Sequence, residues 1–190
     1  MTGNPFVLAA DVIINTIFGI YILAVMLRFI FQAARVDFRN PLSQLIVNVT
    51  NPPLKPLRRV IPGWGGIDFS TIVLMVALTI IKLSLIGLIT GQQLSISWLL
   101  FTTIADLISL LYYLLLGIII ISIIMSWIGQ TSQNPMVGLL QQISEPILRP
   151  FRRIIPPIGG LDLSPIFAIL ALQIIKIFAD WSLHSLATSL

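Results

Sequence analysis

Four stretches of this chain are apolar for about the 20 residues that a helix needs to cross the hydrocarbon core of a bilayer. They run from Val7 to Phe31, from Phe69 to Ile89, from Trp98 to Trp127 and from Leu163 to Leu183. Few charges interrupt them: Asp11 and Arg28 in the first, Lys82 in the second, Asp106 in the third, Lys176 and Asp180 in the fourth. Charged residues are 9% of the whole chain, against about 25% in a soluble domain. A water-soluble fold of this size could not hide so much apolar surface, so most of the chain is expected to face lipid. At 1.5 Å per residue the third stretch exceeds a ~30 Å core and is expected to tilt or protrude. The first lacks a positive leading region and a cleavage pattern and is too long for a signal sequence, so it reads as a retained span.

Asn40–Lys82 aligns without a gap on Asn134–Lys176 at an offset of 94 residues, with 20 of 43 positions identical. Apolar segments match Leu with Ile by chance. They do not match Pro52, Pro56, Arg58, Arg59, Pro62, Gly65, Gly66 and Asp68 with the same residues at fixed spacing. The chain therefore reads as a tandem repeat, residues 1–94 and 95–190. Each unit has a span, a connecting segment (40–62 or 134–156) and a returning span. Two spans per unit bring both units in from the same side, as parallel repeats about an axis near the membrane normal. The expected fold class is all-α: four transmembrane helices in two parallel-repeat hairpins, each with a short interfacial amphipathic helix.

Of 11 Lys and Arg, eight lie between Arg35 and Arg59 or between Arg149 and Arg153, and the connection Thr90–Ser97 has none. Positive charge marks the cytoplasmic side. Both connecting segments are thus expected in the cytoplasm and both termini outside, in the inner (plasma) membrane of a bacterium. The basic charge is assigned to the membrane surface, and no nucleic acid is expected as a partner.

Asn40-Pro41 and Asn134-Pro135 suit helix starts. Leu42, Leu45, Ile46 and Val49, and likewise Met136, Leu139, Leu140 and Ile143, then form one apolar stripe. A helix of about ten residues is expected, ended by Pro52 or Pro146, lying in the interface or folded against the bundle. Lys55, Arg58 and Arg59, with Arg149, Arg152 and Arg153, follow at i, i+3, i+4 and are candidate contacts for anionic headgroups or a membrane partner. Orientation alone would also supply basic residues there, though not the same spacing twice. Each glycine pair permits a sharp re-entry. Asp68, Ser70, Asp162 and Ser164 are then candidate caps for the returning spans, the aspartates also reaching Arg58/Arg59 or Arg152/Arg153.

Inside the membrane, depth allows Asp11 to pair with Lys82 and Asp106 with Lys176, or the same residues exchanged between halves. Such pairs either staple the helices or line a path for ions or small solutes. Gly87 and Gly91 form one GxxxG, and Trp98, Tyr112, Tyr113, Trp127 and Trp181 supply interface anchors. The chain has no cysteine and a single histidine, His184. That excludes thiolate and histidine-cluster metal sites, and neither a catalytic residue set nor a cofactor is expected.

The doubled pattern P-x-L-[KR]-P-x-R-R-[VI]-I-P-x-x-G-G-x-D-x-S, each copy after an Asn-Pro helix start and before a span, resembles the YggT family over essentially the whole chain. The resemblance rests on Pro52, Pro56, Arg58, Arg59, Pro62, Gly66, Asp68 and Ser70, and on Pro146, Pro150, Arg152, Arg153, Pro156, Gly160, Asp162 and Ser164. It implies a bacterial inner-membrane protein, with plastid relatives and no established catalytic residues. Implied roles are organisation of membrane or division-associated complexes, support of cofactor assembly, and tolerance of osmotic or ionic stress. The expected function is a non-enzymatic organising or assembly factor that binds anionic lipid, another membrane protein or a second copy of itself. The alternative is an ion or small-solute channel or transporter using Asp11, Lys82, Asp106 and Lys176.

Overall fold

The structure, a computed structural model, describes residues 4–128, 135–155 and 162–189. Among these every named element is a helix: α1 (Pro5–Ala33), α2 (Pro41–Val60), α3 (Phe69–Thr90), α4 (Ile96–Ile128), α5 (Pro135–Ile154) and α6 (Ser164–Ser189). The order of apolar helix, proline-bearing helix and apolar helix thus occurs twice. Starts follow local chemistry: the Asn4 and Asn40 side chains accept the N–H of Phe6 and Leu42, each at 3.0 Å, with proline next in line. Asn134, Pro156, Gly159 and Gly160 lie outside the described residues.

Helices α1, α3, α4 and α6 are long and apolar enough to cross a membrane. In α1 the buried residues are confined to Ile22–Phe31, while Phe6, Leu8, Val12, Ile13, Ile17 and Ile20 point outward. An apolar surface of that extent is stable only with lipid against it. The chain is a multi-pass membrane protein.

Within each half the long helices pair, α1 with α3 and α4 with α6, and the halves meet chiefly along α3 and α4. The largest buried cluster gathers Val25, Met26, Ile30 and Phe31 of α1, Val36, Leu54 of α2, Leu74 and Met75 of α3, Ile118 of α4, and Leu139, Leu140 and Ile143 of α5. It sits at the end of the bundle where α1 stops and α3 begins, the basic end. The Asp37 N–H also donates to Gln142 Oε1 at 2.9 Å, tying the α1–α2 connection to α5.

One local expectation is corrected. The connecting helices do not stop at Pro52 or Pro146: each runs 20 residues, through Pro52, Pro53 and Pro56 in α2 and through Pro146 and Pro150 in α5. Proline removes a helical N–H and frees a carbonyl four residues back. Pro53 frees that of Val49, which accepts the Tyr21 hydroxyl of α1 at 3.3 Å. Helix α2 is therefore folded against the bundle, its continuation supported by α1. The Gly87–Gly91 pair, in turn, serves a helix end. Gly91 takes φ 69° at the C-cap of α3, and a Cβ on Gly87 would stand 2.4 Å from Leu94 Cδ1, where the chain turns back.

Helix α2 also presents its faces in the order that lipid requires. Ser43, Thr50 and Leu54 are its buried residues, while Leu42, Leu45 and Val49 are exposed. Of the apolar stripe, expected in the interface or against the bundle, only Ile46 packs against the core, while Leu42, Leu45 and Val49 point outward.

Candidate functional site at the basic end

Each proline-bearing helix is fastened to the start of the next span by one arginine. Arg58 Nε donates to Asp68 Oδ2 at 3.0 Å and Nη2 bonds the same oxygen. Thr71 Oγ1 adds a bond to it at 2.7 Å. Asp68 holds the N-cap position of α3 without a side-chain cap bond, its carboxylate being turned to Arg58. Ser70 does not cap either; its hydroxyl donates to the Ile61 carbonyl at 2.6 Å and pins the end of α2. Between them Trp64 and Ile67 exchange two backbone bonds of 3.1 Å. The two residues between them, Gly65 and Gly66, have φ 63° and 85°, a turn that favours glycine at both central positions.

In the second half Arg152 Nε reaches Asp162 Oδ2 at 2.8 Å, and Arg152 also pairs with Glu145. Asp162 does cap, accepting the Ser164 N–H at 2.9 Å. Burial alone would raise the Asp68 carboxyl, but the bonds from Arg58 and Thr71 outweigh it and hold it below the usual carboxylate range. Asp162 is held down in the same sense, burial opposing and Ser164 and Arg152 prevailing.

Lys55, Arg59, Arg149 and Arg153 are exposed. They have no carboxylate partner among the described residues. Arg58 and Arg152 hold the elbows together, and these four present free charge.

Sequence reasoning passed over Arg28 as a site residue. It lies on α1, six percent exposed, and its Nη1 donates to Val47 O at 3.1 Å and Thr50 Oγ1 at 2.8 Å on α2. It borders a cavity of about 750 Å³ lined by Gln32, Gln44, Asn48, Arg58 and Asp68 among others. A second cavity, of about 670 Å³, is lined by Ser122, Ser126, Gln142, Glu145, Arg152 and Asp162 among others. At the offset of 94 these walls correspond: Arg28 to Ser122, Gln32 to Ser126, Asn48 to Gln142, Arg58 to Arg152, Asp68 to Asp162.

The intramembrane charges pair in a pattern that depth could not decide. Lys82 Nζ of α3 donates to Asp106 Oδ2 of α4 at 2.9 Å, the exchange between halves. Lys176 instead pairs with Asp180 one turn along α6 and lies 5.9 Å from the ring centroids of Tyr112 and Tyr113. Asp11 accepts from Asn15 Nδ2 at 3.1 Å within α1. Tyr112 is no interface anchor: it is buried, with its hydroxyl donating to Gln173 of α6.

A family model described as CCB3/YggT matches residues 8–89 and again 101–183. An uncharacterised protein of Pseudomonas aeruginosa is 47% identical over 169 residues, 88% of this chain and 86% of its own length. The uncharacterised protein YggT of Escherichia coli K12 is 38% identical over 168 residues, 86% of this chain and 85% of its own. A chloroplast protein of Arabidopsis thaliana, described as a YlmG homolog, is 40% identical over 56 residues, 30% of this chain and 22% of its own. No solved structure matches. With two successive matches that together take in most of its length, this chain belongs to the CCB3/YggT family.

Proposed function

We propose that this protein is a non-enzymatic organising or assembly factor of the bacterial inner membrane. Its basic end faces the cytoplasm and holds anionic lipid or a membrane partner through Lys55, Arg59, Arg149 and Arg153. The observation that carries the reading is the division of labour among the basic residues. One arginine per half is fastened to an aspartate at the start of a span, while its neighbours on the same proline-bearing helix stay exposed. Each basic residue near an anionic surface contributes about 1 kcal/mol, and four together would fix the depth and lipid neighbours of that end. Orientation and partner class rest on the charge distribution, and residues 1–94 and 95–190 are taken as the two repeat units.

The rival conductor needs ionisable groups free to exchange a solute. Lys82 and Lys176 each have a carboxylate already in place, which supports stapling over conduction. The test is the variant Lys55→Gln/Arg59→Gln/Arg149→Gln/Arg153→Gln, reconstituted with spin-labelled lipids. The wild type should enrich anionic lipid at its boundary and the variant should lose that preference, with photocrosslinks in cells from the exposed neighbouring positions 60 and 154 lost in parallel. Unchanged lipid preference together with unchanged crosslinks would remove the proposal.

A further inference from the structure

Arg28 is costly where it stands. A buried guanidinium loses hydration, and two neutral acceptors on one of its nitrogens do not replace a counter-charge. Among the described residues no carboxylate lies within ion-pair distance of it. Joining α1 to α2 does not require a charge: at the corresponding place in the second half, Ser122 Oγ donates to Ser144 Oγ at 3.3 Å and makes the same link between α4 and α5. The arginine thus supplies something beyond helix attachment.

The two corresponding cavities differ in sign. The first has two guanidiniums, Arg28 and Arg58, against one carboxylate, Asp68, for a net +1. The second has one guanidinium, Arg152, against two carboxylates, Glu145 and Asp162, for a net −1 among the described residues. Asn48 adds a carboxamide to the first with no hydrogen-bond partner among the described residues. Position matters as well. Helix α1 has 29 residues, about 43 Å against a ~30 Å core, so a residue five short of its end lies near the headgroup layer.

We propose that the cavity between α1, α2 and the turn after α2 binds one phosphate-bearing anion, with Arg28 as its counter-charge and Asn48 as a neutral donor, and that the corresponding cavity in the second half does not. Arginine suits this role because its fork of N–H donors matches phosphate oxygens. Phosphate of this kind reaches the basic end either as the headgroup of an anionic phospholipid or as a soluble phosphate. Phe38, Val47 and Pro62 in the wall offer apolar contact to the former. The inference deepens the lipid-facing reading above but concerns a single cavity with its own residues, so the two fail separately.

The experiment uses the full chain, purified from nanodiscs containing phosphatidylglycerol and phosphatidylcholine, with native mass spectrometry counting retained lipid. Thermal shift with inorganic phosphate forms the second arm. One retained phosphatidylglycerol identifies a headgroup; stabilisation by phosphate with no retained lipid identifies a soluble anion. In either case Arg28→Gln should abolish the effect and Asn48→Asp, which places a carboxylate on the cavity wall without touching the core, should weaken it about ten-fold or more. Gln141→Glu in the second cavity should leave it unchanged. No retained lipid and no phosphate response, or an effect insensitive to Asn48→Asp, overturns the proposal. The fourfold surface variant should lose boundary preference yet keep the single bound anion; loss of that anion too would also overturn a separate site.

Discussion

Asp68 and Asp162 occupy corresponding positions in the sequence but not equal environments. Asp68 is three percent exposed and shares its carboxylate between Arg58 and Thr71, whereas Asp162 is exposed and Arg152 keeps Glu145 as a second partner. Asp68→Asn should therefore cost about 1–3 kcal/mol, and Asp162→Asn less than about 1 kcal/mol, read from thermal unfolding in one detergent. The pH dependence follows from the same bonds. A carboxyl depressed in the folded state contributes fully above its ordinary pKa of about 3.9 and loses that contribution as pH falls toward the depressed value. Acid should accordingly destabilise the wild type below about pH 4 more steeply than Asp68→Asn. The arginine–aspartate partnership was within reach of sequence because its members lie ten residues apart across a glycine turn. Arg28 was not: its partners Val47 and Thr50 become neighbours only once α2 folds back on α1.

At the scale of elements, the four spans were legible because length and lack of charge are sufficient evidence for a membrane helix. The proline-bearing helices were only half legible. Periodicity located the Leu42–Val49 stripe, but it cannot say whether lipid or protein covers it, and in a bilayer an apolar face has two suitable neighbours. The rule that proline ends a helix also failed for α2 and α5; in α2 a tertiary contact, from Tyr21, takes up the Val49 carbonyl that Pro53 frees. Pro52 is exposed and lies inside α2, so Pro52→Ala should preserve the circular-dichroism helix signal and leave stability equal or higher. A loss of helix would mean that proline sets a boundary. Gly91→Ala should cost about 1 kcal/mol in thermal unfolding, because its left-handed backbone at the end of α3 disfavours a side chain.

For the whole molecule, Lys82–Asp106 is an ionic link between the halves, whereas Lys176–Asp180 stays within α6. Depth along a helix can be counted from sequence, but the direction in which a side chain leaves that helix depends on packing, so the choice of partners was not readable in advance. A double-mutant cycle on Lys82→Met and Asp106→Asn should yield a coupling of about 0.5–3 kcal/mol. The central claim is one of orientation: both arginine elbows on the cytoplasmic side, with the α3–α4 connection outside. The chain has no cysteine, so single cysteines report without background, and Trp64 and Ile154 are well exposed beside the two elbows. The most direct measurement labels Trp64→Cys, Gln93→Cys and Ile154→Cys with a membrane-impermeant maleimide in intact bacterial cells opened only at the outer membrane. Labelling of position 93, with 64 and 154 reacting only after the inner membrane is breached, is the predicted result; labelling of either elbow in intact cells, or protection of position 93, would contradict it.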